Sequence, residues 1–137
     1  PVIDKYKDDK YILQGTETIL LVDDEEIIID VGTQLLKQLG YEVLTARHGK
    51  EAIDIYQQNW QKLKMVILDL IMPEMGGEEC LKELLKINPQ VKALLASGFS
   101  IKGDTKAFFD KEAKGRVAKP FKMRELLRSV RHVLDGA

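Results

Sequence analysis

Five short apolar runs alternate with five stretches of helical periodicity from Glu17 onward, and this alternation leaves few folds open. Thr18–Val22, Tyr41–Thr45, Met65–Asp69, Val91–Ala96 and Arg116–Ala118 read as strands. The uninterrupted apolar runs among them are the mark of strands covered on both faces. Between and after them, Glu25–Leu39, His48–Trp60, Glu78–Ile87, Lys102–Glu112 and Lys122–Leu134 read as helices. Ile28, Val31, Leu35 and Leu39 set the apolar stripe of the first, which Gly40 closes. Ala52, Ile55 and Tyr56 set that of the second, and Asn88-Pro89 ends the third. Strands joined by helical crossovers take right-handed connections. The expected fold is therefore α/β, a doubly wound parallel sheet of five strands with helices on both faces. Residues 17–137 make up that domain. Residues 1–16 are charged at first and show no period, so they read as a linker or tail, with Tyr11–Leu13 as a short docking segment.

Bulk properties remove several classes of function. A chain of 137 residues buries roughly two-thirds of the surface its unfolded form exposes, enough for one domain with a real core. Its net charge of -1 gives no global field toward nucleic acid or an anionic membrane. Nucleic acid is accordingly not an expected partner. No apolar run approaches the ~20 residues of a membrane span, and the N-terminus lacks a signal-peptide core, so this domain is not expected to touch a membrane. Cys80 is the lone cysteine, which rules out an internal disulfide and suits a reducing, cytoplasmic compartment. It lies beside Leu81 in a helical pattern and reads as packing.

In open α/β sheets, ligands gather at the carboxyl ends of the strands. Here the first strand ends at Asp23-Asp24, the third at Asp69, the fourth at Ser97-Gly98 and the fifth at Lys119-Pro120. Three carboxylates, a hydroxyl and an ammonium are thus expected on one rim. Carboxylates placed together repel unless a cation or protons offset their charge. Oxygen ligands without His or Cys suit a hard cation such as Mg²⁺. A carboxylate can attack phosphorus to form an acyl phosphate, and Lys119 can hold a phosphoryl oxygen while Ser97 donates to it. Plainer roles exist for each alone. Asp24 and Glu25 suit a helix start, and Asp69 suits a turn. The match at all four strand ends together weighs against chance.

LLVDDEE, LDLIMPEMGG, LLASG and AKPF resemble the four signature segments of response-regulator receiver domains, in order and spacing, over Thr18 to Leu134. The resemblance implies a flavodoxin-like strand order of 2-1-3-4-5. It implies that Asp69 is the phosphoacceptor, and that Asp23, Asp24, Asp69 and the Ile71 backbone carbonyl hold Mg²⁺. Ser97 and Lys119 would engage the phosphoryl group, and the Lys119–Pro120 peptide would be cis. The implied partner is the dimerisation and phosphotransfer domain of a histidine kinase, or a histidine phosphotransfer protein. Phosphorylation would drive a conformational switch and be reversed by slow autodephosphorylation, so the domain catalyses its own modification without being a turnover enzyme.

One position departs from the pattern. Receivers usually carry Tyr or Phe three residues before the rim lysine, and this chain carries Arg116. Burying an unpaired guanidinium is costly, so Arg116 is expected to stay outside, with a weakened or different output switch. A partner-specific surface charge is the other reading. QGTETILLVDDEE resembles the junction into the C-terminal receiver of a hybrid histidine kinase, with a stand-alone regulator as the alternative. Two further functions use similar residues. A haloacid-dehalogenase phosphatase needs a DxD at the first strand end, which Asp23-Asp24 lacks. A phosphorylation-independent interaction module of the same fold would not need the complete rim. His48 and His132 read as surface residues, Trp60 as packing at a helix end, and Phe99, Phe108 and Phe109 as mostly core.

Overall fold

The three central runs, Thr18–Val22, Leu63–Asp69 and Ala93–Ser97, pair with one another because neither of their faces can be left in water. The computed structural model describes residues 13–98 and 100–136. Pro1–Ile12, and with them Tyr11, lie outside the described residues, as do Phe99 and Ala137. In chain order the elements are β1 (Thr18–Val22), α1 (Glu26–Gln38), β2 (Glu42–Ala46), α2 (Gly49–Asn59), β3 (Leu63–Asp69), α3 (Gly77–Ile87), β4 (Ala93–Ser97), α4 (Gly103–Glu112), β5 (Gly115–Ala118) and α5 (Met123–Leu134). All pairs are parallel and the sheet order is β2-β1-β3-β4-β5, the doubly wound flavodoxin-like arrangement expected from the sequence.

Side chains alternate across the sheet into two cores. Ile19, Leu21, Ile67 and Leu94 pack toward Leu36 of α1 and Leu126 and Val130 of α5. Leu20, Val22, Val66, Leu68 and Leu95 pack toward Tyr56 of α2, Leu84 of α3 and Phe109 of α4. Full burial of each such side chain contributes roughly 1.5–3 kcal/mol, which makes the two-sided burial the main support of the fold. Cys80 lies in the second core, and burial pushes its thiol up to about 12, so it stays protonated and inert.

The stripe of α1 differs from the expected one. Ile28 and Leu39 are buried, but Val31 and Leu35 are only half-buried, while Ile29, Gly32 and Leu36 take the central line. The reason is Gly32. A Cβ there would stand 2.8 Å from Leu21 Cδ2, so the helix approaches the sheet most closely along its glycine. Spacing of apolar residues cannot register a contact made by a missing side chain.

Most of the smaller readings sit where the sequence put them, but Trp60, expected to pack at a helix end, does not. His48 is exposed and caps α2, its Nδ1 accepting from the Glu51 amide at 3.2 Å. Trp60 occupies the other end of α2 and is exposed. Phe109 is core, and Phe108 is half-buried against it, edge-on with centroids 5.1 Å apart. Of the segment before Glu17, Leu13 is buried, and the Tyr41 hydroxyl donates to its carbonyl at 3.1 Å.

Glu74, between β3 and α3, has φ 68, a left-handed conformation that costs a side-chain-bearing residue about 1–2 kcal/mol. Glycine relieves this but loses more freedom on folding. Glu74→Gly is expected to stabilise the domain by about 0.5 kcal/mol, seen as a small rise in thermal midpoint. A fall would show that the Glu74 side chain contributes more than its backbone costs.

Candidate functional site

The register of the sheet builds the rim. Val22 lies opposite Leu68, Asp69 opposite Ala96, and Ser97 opposite Ala118. Each apolar run is broken by a polar residue where it leaves the sheet, and in this register the breaks fall side by side. Backbone bonds then extend the ladder past the strand ends. The Asp23 amide donates to Ala46 O at 3.1 Å, Leu70 N to Ala96 O at 3.2 Å, and Lys119 N to Ser97 O at 3.1 Å. The rim side chains therefore start from fixed backbone.

Close packing at Gly77 adds to this. A Cβ there would come within 2.4 Å of the Asp69 carbonyl oxygen, and its amide donates to Leu70 O at 2.8 Å. Glycine at the first residue of α3 is what lets that helix sit under the end of β3. The Lys119–Pro120 peptide is cis.

Asp23, Asp24 and Asp69 each present a carboxylate oxygen within 4.8 Å of the others. Asp23 is 1% exposed and Asp69 3%, whereas Asp24 is exposed. Lys119 bridges the two buried acids, its Nζ 3.0 Å from Asp23 Oδ2 and 3.0 Å from Asp69 Oδ1. Asp23 Oδ1 accepts from the Glu25 amide at 2.9 Å. Asp69 Oδ2 is buried and has no hydrogen-bond partner among the described residues.

Electrostatics follow from this arrangement. Burial pushes the Asp69 carboxyl from 3.8 up to about 6, with the Asp23 charge adding to the rise and Lys119 opposing it. For Lys119, burial favours loss of the proton, but the Asp23 and Asp69 carboxylates outweigh it and hold the ammonium well above its ordinary value. The rim is an acidic pair clamped by one cation, with a lone carboxylate oxygen left over. That orphaned oxygen and the oxygen-only donor set fit a hard cation. The acidic cluster can therefore hold a metal.

A cavity of about 580 Å³ opens over these groups, lined by Asp24, Asp69, Ile71, Ser97, Gly98 and Lys119 among others. Ile71 is 58% exposed at its mouth. Arg116 does not reach the cavity. It is exposed on β5 and paired with Asp110 of α4. His48 and His132 are exposed and do not line it.

Glu25 belongs to this neighbourhood, although its place in the sequence marks it only as a helix-start acid. It does occupy the N-cap position of α1, but its side chain makes no capping bond. Instead its Oε1 lies 3.4 Å from Lys119 Nζ. Nothing local signals a contact between residues 94 positions apart. Ile27 and Ile28 also line the cavity, and only its place after the acids marks the first of them in the sequence.

An open sheet of order 2-1-3-4-5 with acids, a hydroxyl and a lysine at its carboxyl edge defines a CheY-like domain of the flavodoxin fold. The family profile of the response regulator receiver domain matches residues 19–131, and the chain belongs to that family, the receivers of two-component signalling. Sensor kinase CckA of Brucella abortus is 32% identical over 123 residues, which cover 90% of this chain and 13% of that protein. Response regulator SaeR of Staphylococcus aureus is 30% identical over 116 residues, covering 85% of this chain and 50% of SaeR. The chain thus spans half or less of the length of these two relatives. Among solved structures, the CheX–CheY–BeF3–Mg²⁺ complex from Borrelia burgdorferi matches with a TM-score of 0.80 and 27% identity, over 85% of this chain and 88% of that one. No helix among the described residues is long and apolar enough to cross a membrane.

Proposed function

We propose that this receiver takes a phosphoryl group from a phosphohistidine onto Asp69. The observation that carries the reading is the partition of Asp69: Oδ1 is held by Lys119, and Oδ2 is left without a partner at the floor of an open cavity. An Asp69 oxygen attacks phosphorus, the P–N bond to the histidine breaks, and the imidazole nitrogen keeps the electron pair and takes a proton. Lys119 lies where its positive charge meets a phosphoryl oxygen. Ser97 offers a hydroxyl donor, and Gly98 leaves room at the mouth. Asp23, Asp24, Asp69 and the Ile71 carbonyl would hold Mg²⁺, which when bound neutralises developing charge and orients the phosphoryl group for in-line attack. The Mg²⁺ and BeF3 named with the Borrelia burgdorferi complex support this choice of metal and ligand.

The donor is a histidine kinase phosphotransfer domain or a histidine phosphotransfer protein in the cytoplasm. Ile27 and Ile71, 64% and 58% exposed at the cavity mouth, offer apolar contact to such a partner. The likeness to CckA supports a place as the receiver of a hybrid kinase, and that to SaeR a place in a response regulator. Residues 17–137 act as the receiver, with the segment before them as a connection. Arg116, exposed and paired with Asp110, supports an output that does not depend on inward rotation of this side chain.

Incubation with acetyl phosphate and Mg²⁺ tests the reading by intact mass. One phosphoryl group is expected to add to the wild type in Mg²⁺, and none in EDTA. No adduct in Mg²⁺, or an equal adduct in EDTA, would sink it.

A further inference from the structure

At the amino edge of the sheet, opposite the rim, one side chain of α5 holds the chain that leads into β1. Arg131 Nη1 donates to Gln14 O at 3.4 Å, to Glu17 Oε1 at 3.0 Å and to the Tyr41 hydroxyl at 3.3 Å. Its Nε and Nη2 donate to Asp135, one turn on. The Tyr41 hydroxyl in turn donates to Leu13 O at 3.1 Å, and the Gly15 amide donates to Leu39 O at 3.0 Å. Leu13 and Tyr41 are both buried. A Cβ on Gly15 would stand 2.3 Å from the Tyr41 ring, so the segment lies directly against it. Residues 13–17 are thus seated on a ring, on the end of α1 and on a guanidinium. The profile of the family spans residues 19–131, so Leu13, Gln14, Glu17 and Asp135 all lie beyond the matched core.

A solitary pair between Arg131 and Asp135 would be an ordinary contact between residues four apart on a helix surface. Arg131 does more. Its side chain is 18% exposed, and its donors also reach residues 90, 114 and 117 positions away. The fixed fork of a guanidinium lets one group serve both sides at once. We propose that Arg131 is a clasp that makes residues 13–17 and the last turn of α5 one cooperative unit, so that a pull on the chain ahead of Leu13 moves α5 with it. The helix suits such a lever. Its 12 residues span about 18 Å, and it begins three residues after Pro120 of the rim. Leu126, Leu127 and Val130 fix it to the first core between those two ends. Coupling of this kind is reciprocal, so loosening either side loosens the other. The inference does not depend on phosphorylation of Asp69.

Amide hydrogen exchange in the ¹⁵N-labelled full chain tests the proposal. Arg131→Met removes the charged donors and is expected to speed exchange at Gly15 about tenfold. Tyr41→Phe removes only a hydroxyl and is expected to act at Gly15 in the same direction, by less; it carries the test should Arg131→Met fail to fold. Gly15→Ala drives the segment off the Tyr41 ring without touching Arg131. It is expected to speed exchange at Asp135, whose amide donates to Arg131 O at 2.9 Å, about fivefold. Lys64→Met, the loss of an exposed cation in β3, is expected to change neither amide. The amides of Leu20 and Ile67, in the central strands, report whether the sheet is intact. Unchanged exchange at Gly15 in Arg131→Met and Tyr41→Phe, or at Asp135 in Gly15→Ala, would overturn the proposal. So would an equal rise at Leu20 and Ile67, which marks loosening of the whole domain, or a rise of the same size at Gly15 in Lys64→Met.

Discussion

Replacing Asp69 with Asn is expected to abolish the phosphoryl adduct and, in metal-free buffer, to stabilise the domain by about 2 kcal/mol at pH 7. The loss of the adduct follows from chemistry, since an amide oxygen is a poor nucleophile and cannot give the acyl phosphate. The gain in stability follows from burial. A carboxyl moved from 3.8 to about 6 is held ionised at pH 7 against the preference of its surroundings, at a cost of about 3 kcal/mol. Asparagine removes that charge and keeps an oxygen that can accept from Lys119. A weaker bond to the ammonium offsets part of the gain.

The sign can be read against pH. Asp69 in the folded state binds its proton more tightly than in the unfolded chain. Between about pH 4 and pH 6 the folded state carries the extra proton, so the stability of the wild type falls as pH rises through that window. The contribution is intact below the unfolded value and gone above the folded one. Asp69→Asn lacks this dependence, so the gap between the two proteins should open across that window and level off above it. Urea titrations in EDTA from pH 4.5 to 7.5 measure it. A variant no more stable than the wild type at pH 7 would show that Lys119 fully compensates the buried charge, and that the site is not strained by its acids.

Much of the rim was legible in the sequence because it is made of interruptions. Asp23, Asp69, Ser97 and Lys119 each break an apolar run, and parallel pairing brings such breaks together. What sequence could not supply was contact geometry. Glu25 sits at a helix start like many acids, yet its side chain turns to Lys119 across 94 positions. Gly32 shifts the buried stripe of α1 because a glycine marks the closest approach without contributing to an apolar count. Glu74 takes a left-handed conformation that glycine usually fills, beside Gly76 and Gly77, which signalled a turn.

Lys119→Met should destabilise the metal-free domain by about 3 kcal/mol at pH 7 and recover most of that loss in Mg²⁺. The lysine side chain is 11% exposed, and it is the bridging cation for Asp23 and Asp69, whose side chains are 1% and 4% exposed. Methionine fills similar volume but removes the charge. Two buried carboxylates are then left facing each other, and breaking such a pairing from one side costs about 3–5 kcal/mol. Protonation of a carboxyl limits the damage, which places the expected value at the lower end. A divalent cation offers another route. The acids no longer share their oxygens with an ammonium, so the variant should bind Mg²⁺ more tightly than the wild type, and ligand binding to the folded state adds stability as the logarithm of one plus the ratio of free ligand to its dissociation constant. The thermal shift on adding Mg²⁺ is therefore expected to be larger in Lys119→Met than in the wild type, even though the variant forms the phosphoryl adduct more slowly for want of the second positive charge. Melting both proteins in EDTA and in Mg²⁺ decides the matter. A loss below 1 kcal/mol in EDTA, or an Mg²⁺ shift no larger than that of the wild type, would mean that Lys119 is not what holds the acids together.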